Sequence, residues 1–203
     1  MDDEPVAAGL HSDLEDFAQQ IADQAESYLV ALQAISREEA GGSAVPLLLL
    51  EVSQILLAGA RLGAQSDFGV EEEFQPDVGP DPDLDAMRER LATLLDGVDA
   101  YVYNFDPYDP ELVGAKLSDE LTSIATALAN GLRHFRAGNV AEALWWWQFS
   151  YVASWGNEAS GALRALQSIV SHDRLDTDIE GEQDVIEEAS AVLDSAKAQP
   201  EPR

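Results

Sequence analysis

The chain has no cysteine, only two lysines (Lys116 and Lys197), three histidines and two methionines in 203 residues. Without cysteine there are no disulfides, zinc knuckles, thiol nucleophiles or iron–sulfur ligands. Basic residues number 11 against 39 acidic ones, a formal net charge of −28. Such a surface repels phosphate backbones and anionic lipids, so nucleic acid and membrane are not expected partners. The longest apolar run, Val45 to Leu50, stops at Glu51. That is far short of the roughly 20 apolar residues of a membrane span, so the run is assigned to a water-soluble core. The acidic start, Met1-Asp2-Asp3-Glu4-Pro5, lacks the basic and apolar regions of a secretory signal, and the expected location is the cytoplasm.

A hydrophobic fraction of 46% is ordinary for a globular chain, so the charge alone does not argue for disorder. The charge is unevenly spread. Residues 1–43 carry −9, 66–120 carry −13 and 171–203 carry −7, whereas 44–65 are neutral and 121–170 carry +1. The neutral segments, rich in Leu, Ala, Ile and Trp, are the expected core. A solvated acidic exterior is the ordinary explanation of the rest. An acidic inhibitor that imitates nucleic acid is an alternative, but no carboxylate spacing specifies it.

Helical periodicity dominates. Ser12-Asp13-Leu14-Glu15 reads as a capping box, followed by Leu14, Phe17, Ile21, Ala25, Tyr28, Leu29, Leu32 and Ile35, with an end near Gly41-Gly42. A second helix is expected from Ala44–Pro46 to about Gln65. On it Gln54, Arg61 and Gln65 fall within about 80° of Glu51, and most other positions are apolar or small. Gly59, Ala60, Gly63 and Ala64 would let a neighbour approach closely. Residues 66–82 read as an acidic loop, and Asp83 to Gly97 as a helix through Leu84, Met87, Leu91, Leu94 and Leu95. The Tyr101–Pro110 stretch, broken by two Asp-Pro steps, is expected to be a connection pinned by its aromatics. Helices then follow at Ser118–Phe135, Val140–Trp155 and Glu158–Ser171, with joints at Gly138-Asn139 and Gly156-Asn157. The predicted fold is all-α, a single bundle of about six or seven helices. The assigned boundaries are a disordered 1–11, a bundle over 12–172, and an acidic tail over 173–203 whose Val185, Ile186, Ala189, Val192, Leu193 and Ala196 keep a helical stripe.

Enzyme signatures are missing. No glycine-rich phosphate cradle or nucleophile elbow occurs, and His11, His134 and His172 never stand three residues after a Glu, as carboxylate-bridged metal bundles require. Asp81, Asp83 and Asp85 alternate like calcium ligands, but Ala86 and Ala92 stand where an EF-hand needs Gly and Glu. No cofactor, metal or catalytic residue is assigned.

Two features remain. Glu51 sits in a very apolar helix with Gln54 and Arg61, and an unpaired buried carboxylate is costly. It is expected either on an exposed polar stripe, in a bridge to Arg133, Arg136 or Arg164, or in a pocket. Trp145, Trp146 and Trp147 are consecutive and point about 100° apart, so they cannot all face one neighbour. With Gln148, Tyr151 and Trp155 they predict core packing or an aromatic recognition patch. The preferred reading is a non-enzymatic protein-interaction or scaffold module contacting another protein through this helix with Glu51, Gln54 and Arg61. The alternative is a small-ligand-binding or hydrolytic protein whose pocket holds Glu51, Gln54, Arg164, Gln167 and the indoles.

The stretches Pro46–Gly63, Phe105-Asp106-Pro107-Tyr108 and Ala143–Tyr151 with Trp155-Gly156, in this order, resemble the actinobacterial family known as domain of unknown function 5063, over about residues 10–175. The resemblance implies a small cytoplasmic bacterial helical domain and carries over no catalytic residue. Phe135-Arg136-Ala137-Gly138-Asn139-Val140-Ala141-Glu142-Ala143 is similar to the turn of a tetratricopeptide hairpin. A single copy without a repeat period implies one helical hairpin in the C-terminal half, not a solenoid.

Overall fold

A computed structural model describes residues 4–37, 44–69, 78–106 and 108–175. The elements run α1 (Glu4–Arg37), α2 (Ala44–Gly63), α3 (Asp85–Leu94), β1 (Ala100–Asp106), β2 (Asp109–Lys116), α4 (Leu117–Arg136), α5 (Val140–Ser150), a π-helical turn (Tyr151–Trp155) and α6 (Gly156–Leu175). Two compact units divide the chain, residues 1–166 and 167–203, and the core lies in the first.

The chain is mostly helical because apolar side chains recur at helical spacing. Ile21, Ala25, Tyr28 and Leu32 of α1, Leu48, Val52, Ile55 and Leu62 of α2, and Leu121, Ile124, Leu128 and Leu132 of α4 are all buried. α1 is tied to α4 by the Tyr28 hydroxyl, which donates to the Leu121 carbonyl at 3.2 Å. The backbone is already helical from Glu4, so Ser12 lies within α1 and does not cap its start. The expected Gly41-Gly42 helix end and the stripe from Val185 to Ala196 fall outside the described residues.

Two expectations are corrected. The chain is not all-α: β1 and β2 pair antiparallel, with Tyr101 opposite Ala115, Tyr103 opposite Val113 and Asn104 opposite Leu112. The aromatic and β-branched run Tyr101-Val102-Tyr103 suits a pleated surface. Outward Val102 and Leu112 are exposed, which erases the apolar/polar alternation that would have betrayed a strand. Asp99 closes the hairpin onto α4, its carboxylate accepting from the Ser118 amide at 2.8 Å and the Ser118 hydroxyl at 2.9 Å.

Gly156-Asn157 is not a joint either. The helix passes through a π turn into α6, and Gly156 keeps helical dihedrals, φ −62° and ψ −39°. Its role is clearance: a Cβ there would stand 2.5 Å from the Tyr151 carbonyl oxygen and 2.8 Å from the Tyr151 ring. At Gly138, by contrast, φ is +85°, and the chain does turn between α4 and α5.

Candidate functional site

The tryptophans divide between interior and surface. Trp147 is fully buried, its indole N–H donating to the Leu128 carbonyl at 3.1 Å, and it lies against Gly131 of α4. Trp155 is also fully buried and donates to the Ser150 hydroxyl at 3.2 Å. Tyr151 meets Trp155 edge-on at 4.8 Å, and both rings press on Gly59 of α2, where a Cβ would come within 2.4 Å of Tyr151. The glycines of α2 thus serve the approach of the π turn. Trp146 is half-buried and donates to the Ala127 carbonyl at 3.2 Å. Half-buried Trp145 stacks on exposed Phe149 at 5.0 Å, and this pair is what the aromatic run offers to solvent.

Gln148 is internal as well. Its amide nitrogen donates to the carbonyls of Leu62 (3.0 Å) and Ser66 (3.3 Å), and its oxygen accepts from the Phe68 amide at 2.9 Å. The side chain satisfies backbone groups left open where α2 ends. Trp147, Gln148 and Trp155, expected on a recognition face, are therefore structural.

Helix α2 keeps a second, outward face. Leu47, Leu50 and Leu57 are 40%, 49% and 66% exposed, too much for core positions. Gln54 is exposed beside them, and half-buried Arg61 donates to the Gln20 side chain of α1 at 2.7 Å while lying 5.3 Å above the Phe17 ring. Leu47, Gln54 and Arg61 recur every seven residues, as do Leu50, Leu57 and Ala64. The outward stripe of α2 is thus largely apolar, with Gln54 and Arg61 of the expected polar stripe set among its leucines. Among the described residues α2 is the one helix long and apolar enough to cross a membrane by length and composition.

Glu51 lies off this stripe, half-buried, and burial raises its pKa. Arg133 pairs with Asp81 at 3.1 Å and Arg136 with Glu26 at 2.7 Å, so neither bridges to Glu51. The Tyr28 hydroxyl is held protonated by burial first and then by the negative charges of Glu51 and Glu158. Beyond it, Glu120 of α4 accepts hydrogen bonds from Tyr101 and Tyr103 of the hairpin. Burial raises Glu120 to about 7, with Glu158 and Asp119 adding to the rise and the two tyrosine hydrogen bonds opposing it. The Glu158 carboxylate accepts from Ser154 at 3.1 Å through one oxygen, while the other is buried without a hydrogen-bond partner. The group pins the hairpin over α4, and Glu120 holds a proton close to neutrality. No set of three His, Cys, Asp or Glu side chains is placed to hold a metal ion among the described residues.

Arg164 lines a cavity of about 310 Å³ with Tyr103, Asn104, Asn157 and Ser160, a lining that includes neither Glu51 nor an indole. Exposed Gln167 belongs to the second unit. The residues expected to share a ligand pocket are thus distributed over different parts of the chain.

Residues 12–172 match the family model described as domain of unknown function (DUF5063). The chain belongs to this family. Among solved structures, the DUF5063 chain is similar to the crystal structure of protein BF1032 from Bacteroides fragilis. The two share 16% identity and a TM-score of 0.60 over 73% of this chain and 89% of that one, a likeness of fold. No curated protein matches the sequence.

Glu120 and Glu158 escaped sequence reading. In this DUF5063 chain Glu120 lies in the first turn of α4, where acids suit the helix start, and yet it is buried. It stands between Leu117 and Ile124 at helical spacing, on the same buried face, and that spacing was the available signal.

Proposed function

We propose that this DUF5063 chain is a protein-interaction module whose contact face is the outward side of α2. The observation that carries the reading is the exposure of Leu47, Leu50 and Leu57 along one stripe. Scattered exposed leucines need no explanation, but a row on one helix marks a surface that a partner covers. The alternating three- and four-residue spacing of Leu47, Leu50, Gln54, Leu57, Arg61 and Ala64 suits a partner helix laid along α2. Arg61, held by Gln20, and Gln54 between the leucines supply polar points that fix register.

Packing of α2 on α1 and the π turn, with Glu51 and Arg61 within it, favours a protein partner over a lipid one. The test is co-purification from the native host with wild type and with Leu50→Glu/Leu57→Glu, circular dichroism verifying the fold. Loss of specific partners from the variant is expected. An unchanged partner set, or wild-type binding to neutral phosphatidylcholine vesicles that the variant lacks, overturns the reading.

A further inference from the structure

We propose that the open edge of β1, where it borders α6, takes an extended peptide as a third strand, and that this peptide carries a carboxylate for Arg164; the site is separate from the α2 face and does not rest on it. The register of the hairpin decides which main-chain groups face outward. The Leu117 amide donates to the Asp99 carbonyl at 2.9 Å, and Asp99 stands opposite Leu117 in the ladder that pairs Ala100 with Lys116. Bonded and unbonded pairs alternate in an antiparallel ladder, so Tyr101 and Tyr103 bond to β2, while the N–H and C=O of Val102 and Asn104 point away from it. Among the described residues no backbone group outside the hairpin bonds to them.

The same two residues line the cavity of about 310 Å³ against α6. Its opposite wall is one face of that helix, carrying Asn157, Ser160 and Arg164. From Asn157 to Arg164 the helix rises roughly 10 Å, room for about three residues of extended chain. Gly161 lets α6 and β1 touch there: a Cβ would stand 2.7 Å from the Tyr101 hydroxyl and 3.4 Å from the Tyr103 ring. Both tyrosines are held by hydrogen bonds to Glu120, so the edge is fixed in place before any peptide arrives.

Open edges are usually blunted by charge, proline or a bulge. Ala100 to Asn104 contain neither charge nor proline, and the register shift of the hairpin lies past Asn104. Strand addition satisfies the outward main-chain groups, and side-chain contacts on alternate residues select the sequence. The Ser160 hydroxyl donates to the Gly156 carbonyl at 2.7 Å, so its oxygen is left to accept from a peptide amide. Arg164 is the one charged residue in the lining, in a chain of net charge −28. The groove therefore receives a carboxylate that the surrounding surface repels, and a peptide with one Asp or Glu among neutral or basic residues suits both.

The test is binding of the full chain to a positional-scanning library of N-acetylated, C-amidated hexapeptides, read by fluorescence polarisation up to millimolar concentration. Selection of Asp or Glu at one position is expected, and Arg164→Gln should erase it. In the selected peptide, N-methylation of alternate amides should weaken binding by about tenfold or more, and N-methylation of the intervening amides should be tolerated. Asn104→Pro removes an edge N–H that the ladder does not use, so it should keep the wild-type circular dichroism and lose affinity by about tenfold. Amide hydrogen exchange at Val102 and Asn104 should be fast in the free chain and slow with peptide bound. Absence of binding by every pool, or affinity indifferent to N-methylation and to Asn104→Pro, overturns the proposal. So does protection of the Val102 and Asn104 amides in the free chain, which would mean that the chain covers its own edge. N-acetylaspartate amide binding as tightly as the hexapeptide would make the cavity a site for a small carboxylate and also overturns it. Leu50→Glu/Leu57→Glu should bind the peptide as wild type does, so this site and the α2 face stand or fail separately.

Discussion

Replacing Gly131 by alanine should destabilise the protein, although helix propensity predicts the reverse. In a helix interior alanine is favoured over glycine by about 1 kcal/mol. Here the added Cβ would lie 2.0 Å from Nε1, 2.3 Å from Cδ1 and 2.4 Å from Cε2 of Trp147. That indole cannot swing aside, because it is fully buried and its N–H is engaged with the Leu128 carbonyl at 3.1 Å. Overpacking of this kind costs about 1–3 kcal/mol or more, and loosening the indole hydrogen bond adds about 1 kcal/mol. After the propensity gain the net loss is about 1–3 kcal/mol, or roughly 2–10 °C in Tm for a chain of this length. Urea and thermal unfolding followed by circular dichroism and tryptophan fluorescence measure it directly. The Gly131→Ala cost should shrink in a Trp147→Phe background, where the smaller ring leaves room. A stabilised Gly131→Ala protein, or a cost unaltered by Trp147→Phe, would refute the steric argument.

Two further outcomes follow from the interior. Gln148→Leu strips partners from the Leu62 and Ser66 carbonyls and the Phe68 amide, so a loss of about 1–3 kcal/mol is expected; hydrogen exchange at Phe68 should accelerate, and unaltered protection there contradicts the assignment. Glu120, raised from 4.5 to about 7, binds its proton more tightly folded than unfolded. The folded state therefore holds more protons between these values, and this group's contribution to stability falls as pH rises through the window. Glu120→Gln cannot ionise, so the stability of the variant relative to wild type should climb from pH 4.5 to 7. His134 is shifted down by burial first and gives the opposite slope, but in both proteins alike. A flat difference between variant and wild type across that range would show that the burial of Glu120 has no energetic consequence.

What local pattern could reveal about this chain was its helices, because a buried helical face must repeat at helical spacing whatever it packs against. The apolar rows of α1, α2 and α4 and the neutrality of 44–65 were legible for that reason, and so was Glu51 as an odd residue in an apolar helix. The rest depended on neighbours distant in sequence. Tyr101 and Tyr103 form a strand only because β2 pairs with β1, while Val102 and Leu112 on the outer face mask the alternation. Gly156 looks like a helix end until Tyr151 is seen pressed upon it. Glu120 looks solvated until the hairpin folds over it. Three adjacent tryptophans announce aromatic mass and no more; Gly131, Leu128 and Ala127 decide which indoles go inside. Likewise, the same leucine composition serves for a core or for a contact face, and it is the side of α2 left uncovered by α1, α5 and the π turn that makes Leu47, Leu50 and Leu57 surface residues. Periodicity is a property of one segment, whereas burial is a relation between segments, and only assembled coordinates contain the second.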